Sequence, residues 1–348
     1  MDSRILLVSM AAAALLAATM APASAARGRA AAQARAASRT REPAIERRDS
    51  RLDRLLPPGT RIEKLVDGLT WVEGPVWRAR ERELLFSEIP ANRIWRWRDG
   101  KLSLFLERSG WSGAAPFRGR EPGSNGLALD GEGRLLLCEH GHRRITRLEP
   151  DGARTVLVDR SEGRRLNSPN DVVVCRDGDL CFTDPPFGLP ETFQDRAREL
   201  PFSGVWRLRR DGRLDLLTDE LAGPNGLAFA PDERTLYVSN AHPDRPVWMA
   251  YGVRDDGTLA EGRVFFDASP WVPQRPGLPD GLKVDARGNL FAAGPGGLYV
   301  FAPDGVHLGT ILFGVATSNC RFDERERDLF VTAGSAVWRV SRPAAAER

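Results

Sequence analysis

The segment GPNGLAFAPDERTLYV, residues 223–238, contains two apolar runs, each preceded by a polar turn. Short apolar runs separated by turn residues are typical of a β-hairpin. Similar phrases recur as SNGLALDGEGRLLL, PNDVVVCRDGDLCF and PDGLKVDARGNLFA, and each places an Asn or Asp immediately before an apolar run. A phrase repeated in this way predicts one structural unit that the chain uses several times.

Aligning the phrases on that polar position gives six units, which begin at Glu73, Asn125, Asn170, Asn225, Asp280 and Asn319. Their spacing of 39 to 55 residues is typical of propeller blades with loop insertions. Most units continue into a second hairpin around an Asp-Gly turn, as in VWRLRRDGRLDLLT. Four short strands in each of six units predict an all-β, six-bladed β-propeller. The last unit ends after its third strand, so we expect TRIEKLVDGLT, residues 60–70, to supply the fourth.

We place the propeller domain at residues 58–342. Residues 1–25 have the features of an export signal, because an apolar stretch follows Arg4 and ends in Ala-Ser-Ala. This predicts an exported protein of the bacterial periplasm. Residues 26–57 are rich in Ala and Arg and are expected to form a disordered or loosely helical linker. Residues 343–348 form a short tail.

The charge and composition argue against several classes of partner. The net charge is +3, but the Arg-rich linker carries more positive charge than this, so the propeller is near neutral. Nucleic acid therefore has no general attraction to it. No segment after the export signal is long and apolar enough to span a membrane. A closed propeller also implies no obligate protein partner.

Four cysteines are present, and their spacing matches no zinc-binding pattern. Cys175 and Cys181 flank an Asp-Gly turn, so they could form a disulfide in an oxidising compartment. Buried free thiols are the alternative. The chain also lacks a Gly-x-Ser-x-Gly nucleophile elbow.

The six polar residues are predicted to form a ring, because the first strand of every propeller blade lines the central channel. Glu73 and Asp280 bring two carboxylates to that ring, and their burial would be costly without a counter-ion. Oxygen ligands favour Ca²⁺, with Mg²⁺, Mn²⁺ or Zn²⁺ as alternatives. Coordination by Glu73, Asn225 and Asp280 would leave positions for water and substrate. Ordinary turn chemistry remains an alternative for Asn125 and Asn319.

Such a site favours hydrolysis without a nucleophilic Ser or Cys. The cation would polarise a carbonyl group and activate water, while an adjacent carboxylate accepts the proton. His140 ends the second strand of its blade, where it could face the channel mouth. We expect it to contact substrate, with a surface His bonded to a loop as the alternative.

Several phrases resemble the regucalcin/gluconolactonase family of six-bladed propellers over about residues 58–342. They are EGPVW at 73–77, NSPNDVVV at 167–174, FTDPPFGL at 182–189, GPNGLAF at 223–229 and PDGLKVDARGNLF at 279–291. TDPPFGL and CEHGHRRITRL look like the bacterial gluconolactonase branch in particular. The resemblance implies a metal-dependent lactonase that opens sugar lactones, such as glucono-1,5-lactone, to aldonic acids.

Matching the family's motifs residue by residue implies roles for the ring. The acidic ligand falls on Glu73 and the asparagine ligand on Asn225. The aspartate that is both ligand and proton acceptor falls on Asp280. A substrate-side asparagine falls on Asn170, and we expect Asn125 and His140 on the same side.

One position departs from the pattern. Two residues before Asn170, the regucalcin branch carries an Arg that contacts substrate, whereas this chain has Ser168. The resemblance therefore does not identify the substrate. A related hydrolase of another lactone or ester, and a non-catalytic binding propeller, remain alternatives.

Overall fold

The computed structural model describes residues 42–342. Predictions for residues 1–25, 26–41 and 343–348 lie outside that range. Within it, five antiparallel sheets of four strands and one of five form the blades, so the predicted six-bladed β-propeller is confirmed. None of the helices in the described range is long and apolar enough to cross a membrane.

Blades 1 to 4 pair their strands in sequence order, whereas blades 5 and 6 each gain an outer strand from the start of the described chain. The described chain begins with β1 (Ala44–Arg47), helix α1 (Leu52–Leu55) and β2 (Ile62–Val66). Blade 1 contains β3 (Val72–Arg78), β4 (Glu83–Glu88), β5 (Arg93–Arg98) and β6 (Lys101–Glu107). Blade 2 contains β7 (Ser124–Leu129), β8 (Leu135–Glu139), β9 (Arg144–Leu148) and β10 (Arg154–Val158). A small hairpin follows, made of β11 (Arg160–Ser161) and β12 (Arg164–Arg165).

The second half of the propeller repeats this order. Blade 3 contains β13 (Val172–Val174), β14 (Leu180–Asp184), β15 (Gly204–Leu208) and β16 (Leu214–Thr218), with a 3₁₀ turn at Thr192–Gln194. Blade 4 contains β17 (Pro224–Phe229), β18 (Thr235–Asn240), β19 (Val247–Val253) and β20 (Leu259–Asp267). Blade 5 contains β21 (Leu282–Val284), β22 (Leu290–Gly294), β23 (Gly297–Phe301) and β24 (His307–Leu312). Blade 6 contains β25 (Thr317–Phe322), β26 (Asp328–Ala333) and β27 (Ala336–Ser341).

The N-terminal strand β2 closes the ring as predicted. It pairs antiparallel with β27, and Ile62 lies opposite Val340. Blade 6 thereby gains its fourth strand, and the backbone groups of β27 that would otherwise be unpaired are hydrogen-bonded. Blade 6 then packs against blade 1, where Trp77 stacks on Phe330 with ring centroids 5.2 Å apart.

The segment before β2 differs from the predicted linker. Strand β1 pairs with β24 as a fifth strand of blade 5, and Ala44 lies opposite Leu312. Helix α1 and the residue after it bury Leu52, Leu55 and Leu56 in the core formed by blades 5 and 6. These leucines share one helical face, which the surrounding arginines obscure in the sequence. The described part of the linker therefore belongs to the propeller.

The cysteines are buried free thiols in the structure. Cys175 and Cys181 face each other across their hairpin, with the sulfur atoms 3.4 Å apart. The hydrogen bond with Cys175, followed by burial, raises the pKa of the Cys181 thiol, so thiolate chemistry at this position is disfavoured.

Replacing Leu52 with Ala tests whether this segment is part of the fold. The side chain is fully buried, so its truncation should lower the free energy of unfolding by about 2–5 kcal/mol. Leu102→Ala is the control, because Leu102 is 38% exposed and should tolerate the change. Thermal or urea unfolding of the two variants measures the difference. Equal stability would mean that residues 44–56 do not pack as described.

Candidate functional site: a polar ring at one end of the channel

Irregularities in the innermost strands mark the predicted ring positions. In blades 1, 2, 4 and 6 the pairing of the first two strands shifts register beside the ring residue, as between Glu73 and Val76. In blades 3 and 5 the ring residues Asn170 and Asp280 come just before the strand begins. A β-bulge re-aims a side chain and commonly occurs beside functional sites. The ring position of the repeated phrase therefore coincides with a bulge in four inner strands and with the approach to the strand in the other two.

Close contacts between successive blades link the ring residues. A Cβ atom added to Gly126 would lie 2.5 Å from the carbonyl oxygen of Asn170, and one added to Gly226 would lie 2.5 Å from that of Asp280. These distances exclude any larger side chain without rearrangement, because blade backbones meet at this point. Thr183 Oγ1 of blade 3 donates to the carbonyl oxygen of Asn225 in blade 4 over 2.6 Å. The glycine after the ring residue is thus a requirement of close packing.

The ring closes between blades 6 and 1. Ser318 Oγ donates to the carbonyl oxygen of Val72 over 2.7 Å, and Asn319 Nδ2 donates to Glu73 Oε2 over 3.0 Å. These contacts join residues that are 246 positions apart in the sequence. The structure therefore brings all six predicted ring residues to one end of the channel.

Two carboxyl groups meet in this ring. Glu73 is 3% exposed, and Asp280, which is partly exposed, lies within hydrogen-bonding reach of it. Burial, followed by the charge of Asp171, raises the pKa of Glu73 to about 7. Burial, followed by the charge of Glu73, raises the pKa of Asp280 well above its ordinary value. The ring thus concentrates negative charge that the surrounding protein only partly offsets.

Asn319 positions Glu73 through its amide group. Asn319 Oδ1 accepts hydrogen bonds from the backbone N–H of Cys320 over 2.9 Å and from Lys283 Nζ over 3.3 Å. The amide nitrogen must therefore face Glu73, whose Oε2 also accepts the N–H of Gly74. Glu73 Oε1 is left for another partner. Both interpretations of Asn319 hold, since it bonds its own backbone and also contributes to the ring.

The other ring amides are less constrained. Asn125 Oδ1 is buried and has no hydrogen-bond partner among the described residues, so turn chemistry does not account for this side chain. The Asn170 and Asn225 side chains form no hydrogen bond with residues in the described range. A buried, unpaired oxygen is costly unless an ion or water completes it.

This donor set fits a hard cation. The ring offers two carboxylates and amide oxygens, which are ligands of the kind that Ca²⁺ takes. No group of three or more His, Cys, Asp or Glu side chains in residues 42–342 is arranged to hold a metal. Any cation here would thus depend on the asparagines as well as on Glu73 and Asp280.

Two charged residues beside the ring, Asp171 and Lys283, were not predicted from the sequence. Asp171 is 3% exposed, and its Oδ2 lies 3.5 Å from Lys283 Nζ. Lys283 Nζ also donates to the carbonyl oxygen of Leu282 over 2.8 Å. A signal for both residues is present in the repeat. Asp171 stands where four other units carry Gly, and Lys283 interrupts an apolar strand.

His140 lies at the same end of its blade as Asn125, but the structure buries it completely. Its Nδ1 lies 2.8 Å from Glu121 Oε2, and its Nε2 has no partner among the described residues. Gly188 packs closely against His140, since a Cβ atom added to it would be 2.7 Å from His140 Cβ. His140 is thus not a surface residue, and a substrate could reach Nε2 only if the residues that bury it moved.

Ser168 is a structural residue. Its Oγ donates to the carbonyl oxygen of Pro185 over 2.5 Å and accepts the N–H of Gly188 over 2.9 Å. Asp184 fixes the same loop by accepting the backbone N–H of Ser168 over 2.8 Å. Ser168 is fully buried and therefore offers no substrate contact in place of the expected Arg.

Known proteins with similar sequences identify the family of this chain. Residues 71–335 match the model of the SMP-30/Gluconolactonase/LRE-like region. The chain is 42% identical over 302 residues to a gluconolactonase of Zymomonas mobilis, covering 83% of each protein. It is 28% identical over 245 residues to the pentonolactonase XacC of Haloferax volcanii, covering 68% of this chain and 72% of that protein.

A solved structure shows the same likeness. The gluconolactonase XC5397 of Xanthomonas campestris superposes with a TM-score of 0.75 at 39% sequence identity. The match covers 87% of this chain and 95% of that one. This similarity extends through the whole propeller.

The raised pKa of Glu73 predicts that the stability of the metal-free protein decreases as the pH rises. The protonated carboxyl is favoured in the folded state, so its contribution to stability is present below about pH 4.5 and is lost as pH rises through about 7. Glu73→Gln should therefore raise the melting temperature of chelator-treated protein more at pH 8 than at pH 5. Glu261→Gln is the control, since Glu261 is exposed and should show no such difference. An equal effect of Glu73→Gln at both pH values would contradict the proposed burial of charge.

Proposed function

Because this chain belongs to the SMP-30/Gluconolactonase/LRE-like family, we propose that it hydrolyses sugar lactones such as glucono-1,5-lactone to aldonic acids with a divalent cation held in the polar ring. Family membership and the 42% identical relative confirm the predicted class of enzyme, a lactone hydrolase. The proposal of a cation site is based on the position of Glu73 and Asp280, whose carboxyl groups lie together beside amide oxygens. We propose export to the periplasm on the sequence of residues 1–25 alone.

The proposed ligands are Glu73, Asn225 and Asp280. Glu73 presents Oε1, because Asn319 and Gly74 occupy Oε2. Ca²⁺ suits these oxygen ligands best, with Mg²⁺, Mn²⁺ or Zn²⁺ as alternatives. When bound, such a cation polarises a carbonyl group and lowers the pKa of water.

The chain's own residues supply proton transfer and positioning. Hydrolysis adds water to the lactone carbonyl carbon and breaks its bond to the ring oxygen, giving a carboxylate, a hydroxyl group and a proton. The Asp280 carboxylate is the proposed acceptor of the proton from the attacking water. Asn170 and Asn125 have amide groups available to orient the substrate. His140 joins them only if the residues that bury it move aside.

The substrate itself is the least constrained part of the proposal. Ser168 is engaged by the loop of Pro185 and Gly188, so it cannot supply the substrate contact that the resemblance assigns to an Arg in the regucalcin branch. The relatives include a gluconolactonase and a pentonolactonase. A panel of six-carbon and five-carbon sugar lactones, assayed by acid release at mildly acidic pH, should therefore identify the preferred ring.

Removal of the cation should abolish activity. Protein treated with a chelator should lose lactone hydrolysis, and added Ca²⁺ or another divalent ion should restore it. Unchanged turnover after complete chelation, verified by elemental analysis, would rule out a metal-dependent reaction.

Asp280→Asn should reduce kcat by at least about a hundredfold, because the amide cannot accept the proton. Asn170→Ala should impair catalysis with less effect on metal affinity. Asp99→Asn is the matched control, since Asp99 lies in an exposed turn. Circular dichroism establishes that each variant is folded. Full activity of folded Asp280→Asn would reject Asp280 as the proton acceptor.

A further inference from the structure

Lys283 is the basic side chain that reaches into the channel just below the ring. Lys283 follows Asp280 by three residues in the sequence, and its ammonium group contacts oxygen atoms from three blades. The acceptors are the carbonyl oxygen of Leu282 at 2.8 Å, Asn319 Oδ1 at 3.3 Å and Asp171 Oδ2 at 3.5 Å. An ammonium group has three donors, so these contacts use its full capacity. The position of the charge is therefore fixed.

The neighbouring acids make that charge necessary. Asp171 is buried, and its charge contributes to raising the pKa of both Glu73 and Asp280. Three carboxylates would leave three negative charges around the proposed cation site. With the Lys283 ammonium, the net charge of the four groups is two negative charges, which one divalent cation neutralises.

We infer that Asp171 and Lys283 form a built-in ion pair that sets the net charge of the ring to match a single divalent cation. This inference rests on the metal site proposed above. Neither residue needs to touch the metal or the substrate. Both are positioning residues that act through the electrostatic field at Glu73 and Asp280. Interactions between buried charges are screened little by salt, so the effect should persist at physiological ionic strength.

Arg321 is a neighbouring basic residue that provides a matched control. It lines a cavity of about 330 Å³ together with Lys283, Asp323, Glu324 and Glu326. Unlike Lys283, it forms no hydrogen bond with Asp171 or Asn319 in the described range. Its charge also interacts with Asp171, but it makes no direct contact with the ring amides, so its influence on Ca²⁺ affinity should be smaller than that of Lys283.

The test measures Ca²⁺ affinity by calorimetry in folded protein, independently of turnover. Lys283→Met should tighten Ca²⁺ binding by about tenfold or more, because it removes a positive charge beside the site. Asp171→Asn should weaken binding by a similar factor. The double variant should return to within about threefold of the wild type. Lys283→Arg, which keeps the charge, should bind Ca²⁺ like the wild type, and Arg321→Met should change the affinity clearly less than Lys283→Met.

Each result supports or overturns the inference. A purely structural role for Lys283 predicts that Lys283→Met and the double variant both bind Ca²⁺ more weakly than the wild type, which would overturn the ion-pair account alone. A shift for Arg321→Met equal to that for Lys283→Met would also overturn it. Failure of the wild type to bind any divalent cation would remove the metal site and this inference together. Unfolding curves establish that the variants compared are folded.

Discussion

Two carboxyl groups held side by side in a buried channel are the constraint on which the site depends. Glu73 and Asp280 come from blades 1 and 5, and each would be more stable in water as a charged group. The raised pKa of both groups reflects this cost. A bound cation would remove the cost and stabilise the folded protein by mass action. Stability and the proposed chemistry therefore share one physical origin.

The propeller can hold this arrangement because its ring is closed. Strand β2 completes blade 6, and blade 6 then fixes blade 1 through Ser318 and Asn319. The N-terminal segment 44–56 also packs on blades 5 and 6, which carry Asp280 and Asn319. Segments that carry no ring residue thus determine where the ring oxygens lie. The fold positions the six ring residues, and the repeated phrases supply them.

Much of this arrangement could be predicted from the sequence because it repeats. The recurring phrases predicted the blades and the six ring positions, and the incomplete last unit predicted closure by β2. Features that depend on tertiary contacts were not predicted. Strand β1 is short and flanked by arginines, so its pairing with β24 depends on tertiary packing. The Asp171–Lys283 pair depends on contacts across the channel. The burial of His140 depends on packing by other segments, among them the loop after β14 that contains Gly188.

The most direct test of the account locates the cation itself. Crystals grown with Ca²⁺, or with Mn²⁺ for its anomalous signal, should show one ion at the end of the channel. The account predicts oxygen atoms of Glu73, Asn225 and Asp280 at about 2.1–2.6 Å from that ion. An ion bound elsewhere, or a ring that contains only water at saturating metal concentration, would contradict the central claim.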